Sequence, residues 1–471
     1  MLRFAASILF VSSFFFFSCR KDREILGSLG KLTFSNDTII FDTVFTSIGS
    51  STYQLKVYNK ENYPIKISNI HLAKGDASAY RINVDGNAGN THNDIEIGSK
   101  DSIFIFVEVT IDPGNSNNPF IVQDSIVFES DGSIQDVDLV AWGQNAHYIC
   151  PTTFLKGFPP FSVLGCDTTW TKNIPHVVYG FAVVDSTCKL TIEAGTQIYF
   201  HNNAGLWVYK GGSIKVLGTK EEPVVFQGDR LEPYYRDLAN QWSRIWINEG
   251  SVDNEFNYAI IKNAYIGIQA ETFDNPMGNQ LILNNTIIQN MAGMGILARR
   301  YKITATNNLI TNCGQYAIAL TFGGNYDFTH CTVANYWSSS TRKNPSVFLS
   351  NYYKDPEENL FLAPLTKADF NNCIIYGNSE NEILTDKVDD VDFNYSFNYS
   401  LLRTTKTFLG QSVFTNSDPG FFNIEKNNFN LKNTSFAIDK GNPAYLSGML
   451  LNDLNGKSRT GNPDLGAYEL E

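Results

Sequence analysis

Beyond residue 17 the sequence has no apolar run approaching the roughly 20 residues that a membrane-spanning helix needs, so the remainder is expected to be soluble. It also has no cluster of Lys and Arg. With 36 Lys+Arg against 48 Asp+Glu, the formal net charge is −12, which makes nucleic acid a poor partner because phosphate neutralisation needs basic side chains. No C-x-x-C pair occurs among the seven cysteines, so neither zinc nor thioredoxin-type chemistry has support. Low aromatic content is not among the absences: Phe, Trp and Tyr make up 13%, which excludes disorder over most of the chain.

The chain opens with one basic residue, Arg3, and an apolar run over residues 4–17, too short to span a bilayer but suited to the core of an export signal. Ser18, then Cys19, then five charged residues (20–24) follow at once. This order resembles the lipobox of bacterial lipoproteins. The resemblance implies cleavage before Cys19, a lipid on its thiol, and a chain exported and anchored to the outer membrane, with residues 1–18 as signal peptide and 19–31 as tether. Lys21-Asp22 is similar to the surface-export signal of lipoproteins from the Bacteroides group, which implies exposure on the cell surface. The cysteines left are Cys150, Cys166, Cys188, Cys313, Cys331 and Cys373. The first three lie close enough together for one disulfide in an exported protein, with the pairing left open.

From residue 32 to about 146 the pattern is of short strands. Tyr53, Leu55 and Val57 alternate with polar residues, and so do Ile103, Ile105, Val107, Val109 and Ile111. Turn residues such as Asp112-Pro113-Gly114 separate them, and no helical pattern intervenes. About seven strands predict a β-sandwich. The order of Val57-Tyr58-Asn59, Pro64-Ile65-Lys66-Ile67, a long strand and a closing Trp142-Gly143 resembles the immunoglobulin-like domains of the abnormal-spindle and Hydin type, which implies a spacer or interaction module. His71 and His92 stand alone there and are expected to be surface or packing residues.

Residues 147–471 read differently. Apolar pairs two apart recur at Leu190/Ile192, Ile198/Phe200, Leu206/Val208, Ile214/Val216 and Val224/Phe226, with Gly or Asn turns between several of them. Every third strand returns after 24 to 26 residues, Leu190 to Ile214 and Ile198 to Val224. Three short strands per repeat of this length predict a parallel β-helix. A second repeat agrees: aliphatic, any residue, Asn recurs at Asn263, Asn290, Asn312 and Asn335, spaced by 27, 22 and 23 residues. Stacked coils would place these at one corner, where Asn tolerates a left-handed backbone and its amide can bond to the Asn above and below. Asn378 is a candidate to continue the series.

The stretch 192–218 resembles the opening coils of right-handed, pectate-lyase-like β-helix proteins. The closing residues Asp453-Leu454-Asn455-Gly456 and Asp464-Leu465-Gly466-Ala467-Tyr468-Glu469 resemble the end of the choice-of-anchor Q β-helix proteins. The expected fold is therefore all-β, an immunoglobulin-like sandwich followed by a right-handed parallel β-helix whose last residues cap the open edge of the final coil. Asp453-x-Asn455-Gly456 starts like a calcium loop but lacks the later acidic ligands. No metal or other cofactor is expected, with calcium the minority alternative.

Catalytic motifs are missing. Of the polygalacturonase set only Asp389-Asp390 is present, and the Arg-x-Pro-x-x-Arg of pectate lyases is absent. A polysaccharide lyase built from side chains on separate coils remains an alternative, as does a glycoside hydrolase with paired carboxylates. A purely structural or adhesive surface protein is a further one. Binding of polysaccharide is the reading preferred here. Insertions between coils are the places to look, at residues 228–241, 336–343 and 352–367. Tyr234, Tyr235, Arg236 and Trp242, with Trp337, are the expected sugar-stacking residues. Trp246, flanked by Ile245 and Ile247, is expected to point opposite to them.

Overall fold

The computed structural model describes residues 31–47, 49–112, 120–130, 132–273 and 280–470, so Cys19 and the export signal lie outside the described residues. The chain divides into two compact units between Gln144 and Asn145. Among the described residues all regular structure is strand apart from short 3-10 turns.

The first unit is a sandwich of two five-stranded sheets. One contains Tyr53–Tyr58, Tyr80–Val84 and Ser102–Val109; the other contains Thr38–Phe45, Ile65–Leu72, Thr91–Ile97, Phe120–Ser130 and Ser133–Gln144. Pairing is antiparallel except where Thr38–Phe45 runs parallel to Ser133–Gln144. The alternating residues read from the sequence form its core: Leu55, Val57, Ile105, Val107 and Val109 are fully buried. The strand at Thr91–Ile97 was not anticipated, because its residues carry too few apolar side chains to show a period of two.

The second unit contains three long sheets of eleven, nine and nine strands, which take every third strand of the chain as far as Val347–Ser350, and two two-stranded sheets. The first begins at His147–Ile149, the second at Phe161–Val163 and the third at Thr169–Trp170. Within all three the pairing is parallel throughout, an architecture compatible with a parallel β-helix. The five apolar pairs named above point inward, each residue at most 1% exposed. Farther along, Phe328, Phe370 and Phe397 stack inside the coils with centroids 4.9 Å apart. Cys166 and Cys188 form a disulfide.

Two readings of register need correction. Leu190 pairs with Ile214 as expected, but Ile198 pairs with Phe226 rather than Val224. A slip of two residues keeps every side chain on its face, so periodicity cannot detect it. Asn263, Asn290 and Asn312 do take the left-handed backbone, with φ of 70°, 59° and 52°. Asn335 follows the same coil rhythm without a positive φ, and its Oδ1 accepts from the Cys313 N–H at 2.9 Å. In the next coil Gly377, not Asn378, pairs with Asn335.

The ladder's amides also go elsewhere than expected. Asn312 donates to Asn290 at 3.4 Å, but Asn263 donates to the carbonyl of Arg236 at 2.9 Å, Asn290 to Asp237 at 3.2 Å and Asn312 to Asn427 at 2.6 Å. The corner therefore anchors inserted segments. A second left-handed corner, at Asn285, Asn307, His330 and Asn372, does the same for the last residues of the chain. Asn307 donates to the Asn452 carbonyl at 2.9 Å, and Asn372 both donates to and accepts from the backbone of Asn442.

Those last residues lie along the flank. Phe421, Phe429, Leu454, Leu465 and Ala467 pack on Leu309, Ile374 and Leu401, outward residues of different coils in the first sheet. They hide an apolar face rather than only the open edge of the final coil, because that face continues over several coils. Within the segment the guanidinium of Arg459 is fully buried, forms an ion pair with Glu469 (3.1 Å) and donates to the carbonyls of Asn452 and Gly466. Asp453 accepts from the N–H groups of Lys457 and Glu469, so its oxygens serve the turn itself.

Candidate functional site

In the insertion 228–241 only part of the expected sugar-stacking set faces solvent. Tyr234 is 76% exposed and Arg236 is exposed. One face of Tyr235 is covered by Arg230, whose guanidinium lies 4.0 Å from the ring centroid and pairs with Glu232. Trp242 is a correction: at 1% exposure it lies inside the coils, stacked on Phe200 at 4.3 Å and donating its Nε1–H to the Lys262 carbonyl. It occupies the place where the chain re-enters the coil, and a large apolar ring is drawn into the core there. Trp337 is corrected likewise, buried with its Nε1–H given to Ser340. These residues do not form one face.

The outer face of the second coil sheet brings together what the insertion does not. Trp246 points outward as expected, between buried Ile245 and Ile247. It stacks on Trp207 at 4.9 Å and donates to Glu271 at 2.7 Å. Register carries this column from Trp207 and Trp246 through Gln269, Leu297 and Ala319 to Phe348. Beside it run Glu271, Arg299, Thr321, Ser350 and Asp386. Arg299 pairs with Glu271 at 3.0 Å, and Arg244 donates to Gln269 at 2.5 Å. Burial lowers the pKa of Arg244.

Toward the C-terminal end this face holds a cavity of about 200 Å³, lined by Leu297, Arg299, Tyr316, Phe348, Tyr352, Tyr353 and Lys354 among others. Tyr316 and Phe348 stack at 5.4 Å, and Arg299 sits 5.3 Å from the Tyr353 ring centroid. Tyr352 and Tyr353 come from a hairpin, Tyr352–Lys354 with Leu360–Leu362, inside the insertion at 352–367. The Tyr352 hydroxyl gives a 2.5 Å hydrogen bond to Asp386, and that bond pushes its pKa up to about 12. Aromatic faces beside a fixed cation and several hydroxyls can stack on a pyranose and bond its polar groups.

The same geometry bears on catalysis. Glu271 and Asp386 stand four strands apart in one column, about 19 Å at about 4.8 Å per strand. Paired glycosidase carboxylates lie roughly 5–9.5 Å apart. Among the described residues no group of three or more His, Cys, Asp or Glu is arranged to hold a metal ion. Sequence reasoning singled out Trp246 and the insertion carrying Tyr352 and Tyr353, but not Arg299, Tyr316 or Phe348. Their signal is their outward place in alternating strands, which does not say which outward residues meet.

No family model matches the chain, and no curated protein matches it. Solved structures with some likeness include a family 123 glycoside hydrolase from Clostridium perfringens, 12% identical over 24% of this chain and 27% of that one, TM-score 0.18. A protein of unknown function from Porphyromonas gingivalis W83 is 11% identical over 30% of this chain and 58% of that one, TM-score 0.19. The E. coli chaperone DraB is 10% identical over 24% and 54%, TM-score 0.17. The chain thus spans between about a quarter and three-fifths of the structures it matches.

Proposed function

We propose that this protein binds polysaccharide on the outer face of its second coil sheet, and that a lipid anchor at Cys19 holds it on a membrane. The observation that carries the reading is the cavity in which Tyr316 and Phe348 form an aromatic floor, Tyr352 and Tyr353 a wall, and Arg299 a fixed cation. The anchor rests on Ser18-Cys19 after the apolar run, and an outer-membrane location is part of the same reading. In this reading the first unit is an immunoglobulin-like spacer, and the second is a right-handed β-helix of the choice-of-anchor Q type. No cofactor takes part.

A glycan array probed with the native protein and with Tyr316→Ala tests the binding. Retention of native binding by the variant, or none by the native protein, ends the proposal and leaves a structural surface protein. Cell fractionation of Cys19→Ser tests the anchor: a variant that still reaches the membrane at the mature mass refutes it.

A further inference from the structure

A second cavity lies at the corner where the second coil sheet gives way to the third. It measures about 330 Å³, and its lining includes Arg300, Lys302, Gly324, Asn325 and Thr366. Among the described residues two cations and no carboxylate line it, in a chain whose acidic residues outnumber its basic ones by 48 to 36.

Arg300 and Asn325 are held in place, and Lys302 stands beside them. Arg300 turns the corner in the left-handed region at φ 50°, donates one Nη1–H to the Phe273 carbonyl at 2.7 Å and sits 5.7 Å from the Phe322 ring centroid. That bond uses one of the guanidinium's five N–H donors. Lys302 is exposed on the third sheet, opposite Asn325 in register. Lys215 and Lys367 of the same sheet pair with Asp253 and Asp327, whereas Lys302 forms no ion pair among the described residues. Asn325 is oriented by the hydrogen bond from its Nδ2 to Thr366 at 3.2 Å. Gly324 has no room for a side chain: at φ 123°, an added Cβ would meet the Tyr326 hydroxyl and the Tyr301 carbonyl.

We propose that this cavity binds an oxyanion of the sulfate or carboxylate type, with Arg300 and Lys302 as charged donors and Asn325 as a neutral one. Charge-assisted donors converging from two residues suit an anion with several acceptor oxygens, and an anion relieves the repulsion between the two cations. The anion is either free in solution or carried by a saccharide, and the site is separate from the aromatic cavity.

Isothermal titration of the full chain tests this. The probes are sodium sulfate against sodium chloride at equal ionic strength, and a sulfated oligosaccharide against its desulfated form. The proteins are the native chain, Arg300→Gln, Lys302→Gln and Tyr316→Ala, with melting curves to confirm folding. The native chain should prefer sulfate, free or on the sugar, by at least about tenfold, the scale of one charge-assisted contact. Both charge variants should lose that preference, and Tyr316→Ala should keep it. Binding of inorganic sulfate itself identifies a free anion as ligand; a preference seen only with the sulfated sugar identifies a saccharide-borne group. No preference in either form, or one that survives both charge substitutions, overturns the proposal. Desulfated-sugar binding that survives Tyr316→Ala, with the sulfate preference intact, counts against the aromatic cavity and not against this site.

Discussion

The guanidinium of Arg342 closes a two-pronged ion pair on the carboxylate of Glu382, at 2.6 and 2.8 Å, with both side chains at most 2% exposed. The same carboxylate accepts from the N–H and hydroxyl of Ser346 and from the N–H of Ser379. It therefore ties the insertion at 336–343 to the following coil. Glu382→Ala should leave a buried, uncompensated guanidinium and cost about 3–5 kcal/mol. Denaturant unfolding of the native and variant chains measures it, and a loss under about 1 kcal/mol would show that the pair is solvated.

The left-handed corner at Asn290 separates backbone from side-chain effects. Asn290→Gly keeps the backbone freedom and loses the hydrogen bond to Asp237; Asn290→Ala loses both. The alanine variant should be less stable than the glycine variant by about 1 kcal/mol, the cost of a Cβ in that region. Both should speed amide exchange in residues 228–241. Equal stability of the two variants would remove the backbone argument.

Trp242 and Tyr316 should respond in opposite ways. Trp242→Ala opens a cavity in the coil core against Phe200 and should cost about 3–5 kcal/mol. Tyr316→Ala removes one half of the stack with Phe348 and should cost less, while weakening glycan binding by about tenfold. A Trp242→Ala protein that melts like the native one but fails to bind would return the site to the insertion at 228–241.

His176, at the start of the coil unit, should contribute to acid sensitivity. His176 is 8% exposed, stacks on Trp170 at 4.7 Å and pairs in register with His147. Burial first, and the charge of His147 second, lower its pKa from 6.5 to about 4. Between those values the unfolded chain holds a proton at this site that the folded one does not, so the contribution of His176 to stability falls as pH drops from about 6.5 to about 4 and does not change above that window. Melting followed over this range should show the decline in the native chain and less of it in His176→Leu. An identical pH profile would place the acid-sensitive group elsewhere.

Much of this architecture is legible without coordinates. Alternation over Ile103–Ile111, the apolar pairs from Leu190 to Phe226 and the spacing of the aliphatic-any-Asn repeats report directly on which side chains face inward and where the backbone turns left-handed. These are local properties: two residues per pleat, and a small amide side chain where a Cβ costs most. Register is not local, since a shift of two residues leaves every face unchanged, and so Ile198 meeting Phe226 was decided by the packed coils. The destinations of outward side chains were decided there too. Arg299 meets Glu271 and Tyr353, and Arg342 meets Glu382, only because coils separated by insertions of unequal length come to lie side by side. Trp242 and Tyr234 sit eight residues apart in one aromatic-rich insertion, yet one is buried and the other exposed. Composition gives each the same affinity for a sugar or a core, and the interior volume left beside Phe200 drew in Trp242.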